Sequence, residues 1–237
     1  MFVDTRYRSN ADEIMDNFDL EGEILREALD KIAGINRLLG GNKITIEGIE
    51  NLISSGNKKA LIRILDVGCG NGDMLRAIAE YGRKKGLNFQ LTGLDANAYT
   101  VDYARKLSAG FKNIDYICAD IFDELKQAHQ YDVIVCTLTL HHFKDAEILG
   151  LINGFRKQAS KGIVINDLHR SKLAYYLFIL VCKVFRLNKM SKEDGLVSIL
   201  RGFKKEDIMR YAIELNIDKY TLRWRWAFRY QWIISTI

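Results

Sequence analysis

The chemistry of this chain is concentrated in Leu65-Asp66-Val67-Gly68-Cys69-Gly70-Asn71-Gly72-Asp73, where three glycines alternate behind an apolar run. Glycine permits a sharp turn and lets a ligand reach the backbone with no Cβ in the way. A helix starting near Gly72 would present unpaired N–H groups and its positive dipole end to that ligand. Asp95, closing a second apolar run from Phe89 to Leu94, is placed to accept both hydroxyls of a ribose. Further on, the apolar run Tyr131 to Thr137 leads out to His141-His142. Imidazole titrates near neutrality, so either ring could take a proton from a phenol or enol. Spacing separates the ligand classes. G-x-G-x-x-G holds a dinucleotide pyrophosphate, whereas here Asp73 stands where that pattern has its third glycine.

Such residues need an open α/β sheet to hold them. Strands are expected near 61–67, 89–95, 113–118, 131–137 and 161–167, with helices near 72–84, 97–108 and 143–158. This alternation is that of a Rossmann-like, doubly wound sheet, in which ligands sit beyond the C-terminal strand ends. Thr137, His141 and His142 then face a crevice and not the core. Residues 10–40 read as helical, with Ile14, Phe18, Ile24, Leu25, Ala28, Leu29 and Ile32 as an apolar face. Gly40-Gly41 ends that segment, a short helix follows from Ile44 to Ser54, and Asn57-Lys58-Lys59 leads into the first strand. Beyond Asp167, Leu173 to Cys182 is uninterruptedly apolar; it is too short to span a bilayer and suits a helix covering something greasy. A helix near 203–215 precedes Tyr220 to Ile234, which alternates like a closing β-hairpin. The division expected is an N-terminal α-helical cap (1–57) and one seven-stranded α/β domain (58–237) with a C-terminal hairpin and a helical lid insertion at 168–200.

At 237 residues the chain can bury one α/β core with an extension. No charged start, apolar run and small-residue cleavage site open it, so no secretory signal is expected. Cys69, Cys118, Cys136 and Cys182 are widely spaced with no CxxC pair, which reads as buried free thiols in a reducing cytoplasm and argues against zinc or a disulfide framework. Charge is uneven: residues 168–237 carry fourteen Lys/Arg against six Asp/Glu, and residues 1–60 carry eight against eleven. A basic C-terminal third could face nucleic acid, anionic lipid or an acidic substrate, or be an ordinary solvated surface.

Together, Asp66 with the glycine loop, the strand-end acid Asp95 and Asp120-Ile121 after a third strand resemble the cofactor segments of class I S-adenosylmethionine methyltransferases. The narrower runs Met15-Asp16, Ala33-Gly34-Ile35-Asn36-Arg37-Leu38, His141-His142, Asn166 to Tyr175 and Arg223-Trp224-Arg225-Trp226 resemble a bacterial subgroup of them. Members of that subgroup are often found beside type III polyketide synthases, and are loosely similar to the methyltransferases of ubiquinone and menaquinone synthesis. The chain departs from it by lacking proline altogether. The resemblance implies S-adenosylmethionine as cofactor, its methionine tail lying over Gly68, Cys69, Gly70, Asn71 and Gly72. Asp66 and Asn71 add polar contacts, and Arg37 either meets the carboxylate or is a surface arginine. Asp95 and Ala96 hold the ribose, Asp120 accepts from the adenine amino group, Ile121 packs on the ring and Thr137 lines the methionine side. His141 or His142 is the base, and Asn166, Asp167 and Tyr175 flank the acceptor.

The acceptor implied is small, apolar and oxygen-bearing, such as an alkylated phenol, pyrone or quinol, because the lid candidates are greasy or aromatic. Amino-methylating enzymes of adenine or glutamine would show Asn/Asp-Pro-Pro-Tyr where Cys136-Thr137-Leu138-Thr139 stands, and a cytosine-C5 enzyme needs a Pro-Cys pair. A metal-dependent catechol enzyme needs an acid after the fourth strand besides Asn166-Asp167, so no metal is expected. Two other classes stay open: an RNA methyltransferase using the basic, aromatic C-terminal third, and a non-catalytic cofactor-binding module. The interfacial length of the Leu173 segment also allows peripheral membrane contact.

Overall fold

The computed structural model describes residues 3–54 and 59–237. Its strands are β1 (Leu61–Val67), β2 (Asn88–Asp95), β3 (Ile114–Cys118), β4 (Tyr131–Thr137), β5 (Ala159–Leu168), β6 (Tyr220–Arg225) and β7 (Arg229–Ser235). They form one sheet in the order β3-β2-β1-β4-β5-β7-β6. β1 to β5 run parallel, while β7 lies antiparallel between β5 and β6 as the expected closing hairpin. Both faces of the parallel strands are covered, which is why they read as continuous apolar runs and not as alternations. Register aligns the exits: Val67 pairs with Leu94 on one side and Cys136 on the other. The turn after β1, Asp95 and Thr137 therefore emerge at one edge, where the strand order reverses. That edge is where an open α/β sheet holds a ligand.

The helices are α1 (Glu23–Leu38), α2 (Gly41–Ile53), α3 (Asp73–Lys85), α4 (Ala98–Leu107), α5 (Ile121–Glu124), α6 (Asp145–Gln158), α7 (Lys172–Val184), α8 (Lys189–Arg201) and α9 (Lys205–Glu214). Strand side chains point alternately to the two faces. Ile134, Cys136, Ile163 and Ile165 pack with Phe155 of α6 and Tyr211 of α9. Val133, Val135 and Val164 pack with Ile49 and Leu52 of α2 and Leu75 and Ile78 of α3. Gly48 brings α2 against β5, since a Cβ there would lie 2.5 Å from Val164 Cγ1. A third, smaller cluster joins Leu25, Ala28 and Leu29 of α1 to Met190 of α8 above the exit edge. The segment expected as a lid contains a helix, α8, that sequence alone did not resolve individually.

The N-terminal reading is corrected. Helix begins only at Glu23, and residues 10–22 form a strap with one 3-10 turn, Ile14–Asp16. The strap is held by outside partners that replace helical bonds. Asp194 accepts the Ile14 and Met15 N–H groups (2.7 and 3.0 Å), and Asn97 Nδ2 donates to the carbonyls of Phe18 and Leu20. Ile14 and Phe18 of the strap are exposed, as are Ile24 and Ile32 of α1, whereas Leu25, Ala28 and Leu29 are buried as the pattern required. The expected boundary at 57/58 lies outside the described residues. Cys69, Cys136 and Cys182 are buried free thiols; Cys118, at the frayed exit of β3, is exposed, contrary to expectation.

Candidate active site

Gly68, Gly70 and Gly72 all take left-handed backbone, with φ of 67°, 51° and 76°. This conformation turns successive N–H groups inward: Gly68 and Cys69 donate to the Leu94 carbonyl, and Gly70 donates to Asp95 Oδ2 at 3.0 Å. A Cβ on Gly68 would strike the Thr139 side chain, and one on Gly72 would strike the Tyr116 hydroxyl. Gly70 differs. A Cβ there would meet only Leu29, at 3.6 Å, because its open side faces a cavity of about 1170 Å³.

Of the residues expected to bind the cofactor, Asp66, Gly68, Cys69, Gly70, Asn71, Asp95, Ala96, Asp120, Ile121 and Thr137 line that cavity. Gly72 does not; it is the N-cap of α3 and sits beneath Tyr116. Asp66 is buried, and its Oδ2 has no hydrogen-bond partner. Burial, reinforced by the Asp95 charge, pushes its carboxyl up to about 8. Burial also raises Asp95, against the N–H donors of Asn97 and Gly70. Asp120 Oδ1 caps α5 by accepting the Phe122 N–H at 2.7 Å. Thr137 Oγ1 lies 2.9 Å from Thr45 Oγ1 of α2.

The two histidines open the far side of the cavity. Their turn is clamped by guanidinium groups. Arg8 donates to the carbonyls of His141 and Phe143 (3.0 Å each), and Arg201 donates to the carbonyls of His141 and His142. His141 Nδ1 lies 2.7 Å from Asp167 Oδ1, and His142 Nδ1 lies 2.6 Å from Asp16 Oδ1. A carboxylate only accepts, so each Nδ1 carries a proton and each Nε2 is the ring atom turned away from its carboxylate. Burial raises Asp167 and Asp16, but the histidine contacts outweigh it and hold both below the usual carboxylate range. Glu13 lies between the two Nε2 atoms, at 3.7 and 3.9 Å. Its Oε2 accepts from Ser198, its Oε1 has no hydrogen-bond partner, and burial pushes it up to about 7 against the His142, Ser198 and Arg201 contacts.

Glu13, His141 and His142 offer donor atoms within 4.8 Å of one another, close enough to consider a shared cation. Imidazole lone pairs lie in the ring plane, however, and these rings stack 4.4 Å apart with a 32° tilt. They would have to turn to aim at one ion, and Arg201 Nη1 already stands 3.9 Å from Glu13 Oε1. The arrangement suits proton exchange better than ligation.

Four expected positions lie elsewhere. Arg37 is exposed, 3.4 Å from Asp73, and faces a separate shallow pocket with Phe185. The α1 register turns it outward, while Leu29, Ala33 and Asn36 face in. Asn166 is fully buried under the cavity floor, donating to the Gly41 carbonyl and Thr45. Asp167 also sits below the surface and acts through His141. Tyr175 points away from the cavity, which α7 lines with Ala174, Leu177, Phe178, Leu180 and Val181. Sequence reasoning missed Glu13, Asp16 and Arg201 as site residues, along with Arg229, a buried guanidinium on the cavity wall whose Nε and Nη1 lack partners. Met15-Asp16 stood in the quoted runs without a role. Nothing local marks the others.

Residues 64–162, from mid-β1 into β5, match the family model described as "Methyltransferase domain". This stretch is similar to methyltransferase domains. It contributes the glycine loop, the strand-end acids and both histidines. Among curated proteins, the ubiquinone biosynthesis O-methyltransferase of Rickettsia canadensis is 31% identical over 147 residues, covering 60% of this chain and 58% of its own. That of Rickettsia prowazekii is 33% identical over 149 residues, with coverage of 60% and 54%. The chain thus spans little more than half the length of these curated relatives. Among solved structures, the plantazolicin methyltransferase BpumL, in complex with a pentazolic analog and SAH, matches with a TM-score of 0.66 at 18% identity, covering 89% and 90% of the two chains. Magnesium protoporphyrin IX methyltransferase of Synechocystis PCC 6803 matches at 0.55 and 16% identity, covering 92% and 88%. The chain shares its fold with both.

Proposed function

We propose that the protein is an S-adenosylmethionine-dependent methyltransferase acting on a small, hydrophobic, oxygen-bearing acceptor such as a phenol, pyrone or quinol. The observation that carries this reading is one cavity with a backbone cradle open at Gly70, an orphaned acid at Asp66 and a histidine pair at its other side. The residues fit the cofactor. Asp66 Oδ2 needs a donor, which the methionine ammonium provides; Asp95 keeps acceptor capacity for ribose hydroxyls beside Ala96; Asp120 keeps Oδ2 for the adenine amino group, with Ile121 against the ring. When bound, the cofactor supplies a sulfonium methyl that needs no further activation.

The protein's task is to align the acceptor and remove its proton. We assign that proton to His142 Nε2, because its ring is the more accessible of the two, 28% exposed. Asp16 fixes its tautomer and Glu13 stabilises the charge it gains. His141, held by Asp167, packs against that ring and positions it, with Asn166 bracing Thr45 below. We further read residues 1–57 as a cap and 168–200 as a lid on this domain, and place the protein in the cytoplasm on its free thiols. Nucleic acid is not the partner proposed: Arg170 and Arg201 of the basic third are buried in hydrogen bonds, Arg229 is buried, and Arg210 and Arg225 are ion-paired, which leaves exposed cations gathered mainly around α7. Isothermal titration with S-adenosylhomocysteine and transfer of labelled methyl to phenolic lipids in an extract test the reading. Tight binding and a labelled apolar product are expected. No heat from folded protein refutes the cofactor assignment, and binding without transfer to any extract component leaves a non-catalytic module.

A further inference from the structure

We propose that α7 and the turn after it form a docking surface for an anionic phospholipid bilayer, through which the acceptor cavity is loaded. α7 faces two ways. Ala174 and Cys182 are buried, and Phe178 packs against Gly195 of α8, where a Cβ would lie 2.3 Å from its ring. On the other side Leu173 (59%), Tyr176, Leu177, Leu180 (57%) and Val184 (67%) are exposed. At 100° per residue these five positions form one stripe along a helix about 20 Å long. Phe185 continues it toward Leu38 of α1, with which it lines a shallow apolar notch.

Charge identifies the occupant. From Leu168 to Lys192 the chain has no Asp or Glu. Lys172, Lys183, Arg186, Lys189 and Lys192 are exposed around the stripe, and exposed Arg37 borders the notch. Among them, Lys189 has Glu193 at 3.8 Å and Arg37 has Asp73 at 3.4 Å. An apolar stripe with no acid on its own helix, rimmed mainly by basic residues, matches the pattern of a helix lying in a membrane interface, its greasy side among acyl chains and its cations among phosphates. A second copy is the poorer occupant, since a two-fold contact would set these cations against their own images. No helix among the described residues is long and apolar enough to cross a membrane, so contact is along the surface.

The stripe is continuous with the cavity. Leu177 and Leu180 are exposed and also line it, beside Phe178 and Val181. An acceptor dissolved in the bilayer would pass along α7 into the cavity without crossing water. That route rests on the function proposed above; the docking surface does not.

The test is co-sedimentation of the full chain with vesicles of phosphatidylcholine alone or mixed with phosphatidylglycerol, at low and high salt. Binding to the mixed vesicles, weakened by salt, is expected. Leu173→Glu/Val184→Glu, at positions outside the cavity lining, should lower the bound fraction by roughly tenfold or more. Lys172→Gln/Lys183→Gln should remove much of the dependence on phosphatidylglycerol. Both variants should retain the wild-type heat stabilisation by S-adenosylhomocysteine, which reports a folded, ligand-competent protein whatever the vesicles show. Wild-type protein left in the supernatant with both vesicle types overturns the proposal. So does a wild-type dimer in light scattering that the Leu173→Glu/Val184→Glu variant abolishes, because the stripe is then the interface between copies. If vesicles bind but S-adenosylhomocysteine does not, the functional reading fails and the docking surface stands.

Discussion

Gly70→Ala separates the ligand role of the glycine loop from its backbone role. Gly70 has φ of 51°, and an alanine there costs about 1 kcal/mol in the left-handed region. Its Cβ meets one ordinary contact, Leu29 Cδ2 at 3.6 Å, so nothing must shift in the free protein. For a chain of this length about 1 kcal/mol lowers the melting temperature by roughly 2–4 °C. Gly86→Ala is the control, with φ of 66° and nothing within 4 Å of its added Cβ. Both variants should melt a few degrees early. Only at position 70 does the methyl group stand where the ligand backbone must lie. Forcing a methyl into filled space costs about 1–3 kcal/mol, so S-adenosylhomocysteine affinity should fall roughly ten- to hundredfold. Titration calorimetry and melts with and without the ligand read both quantities. If Gly70→Ala binds within threefold of wild type while melting like Gly86→Ala, the space over Gly70 is not the ligand's and the reasoning fails.

Asp66→Asn should weaken S-adenosylhomocysteine binding and flatten its pH dependence; in the wild type, affinity should rise by about tenfold per unit toward about 8, as the buried carboxyl sheds its proton to meet an ammonium. An equally steep rise in the variant would detach that titration from Asp66. Glu13→Gln addresses stability. A carboxyl raised from 4.5 to about 7 binds more protons folded than unfolded, so its contribution falls as pH rises through that window. The variant should gain melting temperature relative to wild type between those pH values, and a constant difference would contradict the burial argument. His142→Gln should cut methyl transfer by roughly a hundredfold or more with ligand affinity unchanged; retained activity would move the base to His141.

The sheet was legible because burial on both faces writes itself as apolar runs, and the glycine loop because left-handed backbone at three alternate positions excludes other residues. The hairpin followed from the period-two alternation around Trp224, Trp226 and Trp232. The strap was misread as helix because Ile14 and Phe18 keep a helical spacing, while the decisive partner, the Asp194 carboxylate, lies 180 residues away. Arg37 was misplaced for a related reason: its side chain type suits a carboxylate, but the register of α1 aims it outward. Glu13 and Arg201 had no local signature at all. An acid and an arginine so far apart become a site only when α8 packs beside the histidine turn.

The parts proposed to grip the methyl donor, from Asp66 to Thr137, come from a single uninterrupted stretch of chain. The rest of the cavity wall, proposed to surround the acceptor, is stitched from the strap, the histidine turn, α7, α8 and the hairpin corner. Evolution can therefore retailor what is methylated by exchanging surface segments while the donor grip is inherited whole. A chimera carrying a relative's strap and α7–α8 on this sheet should keep its donor and change its clientele.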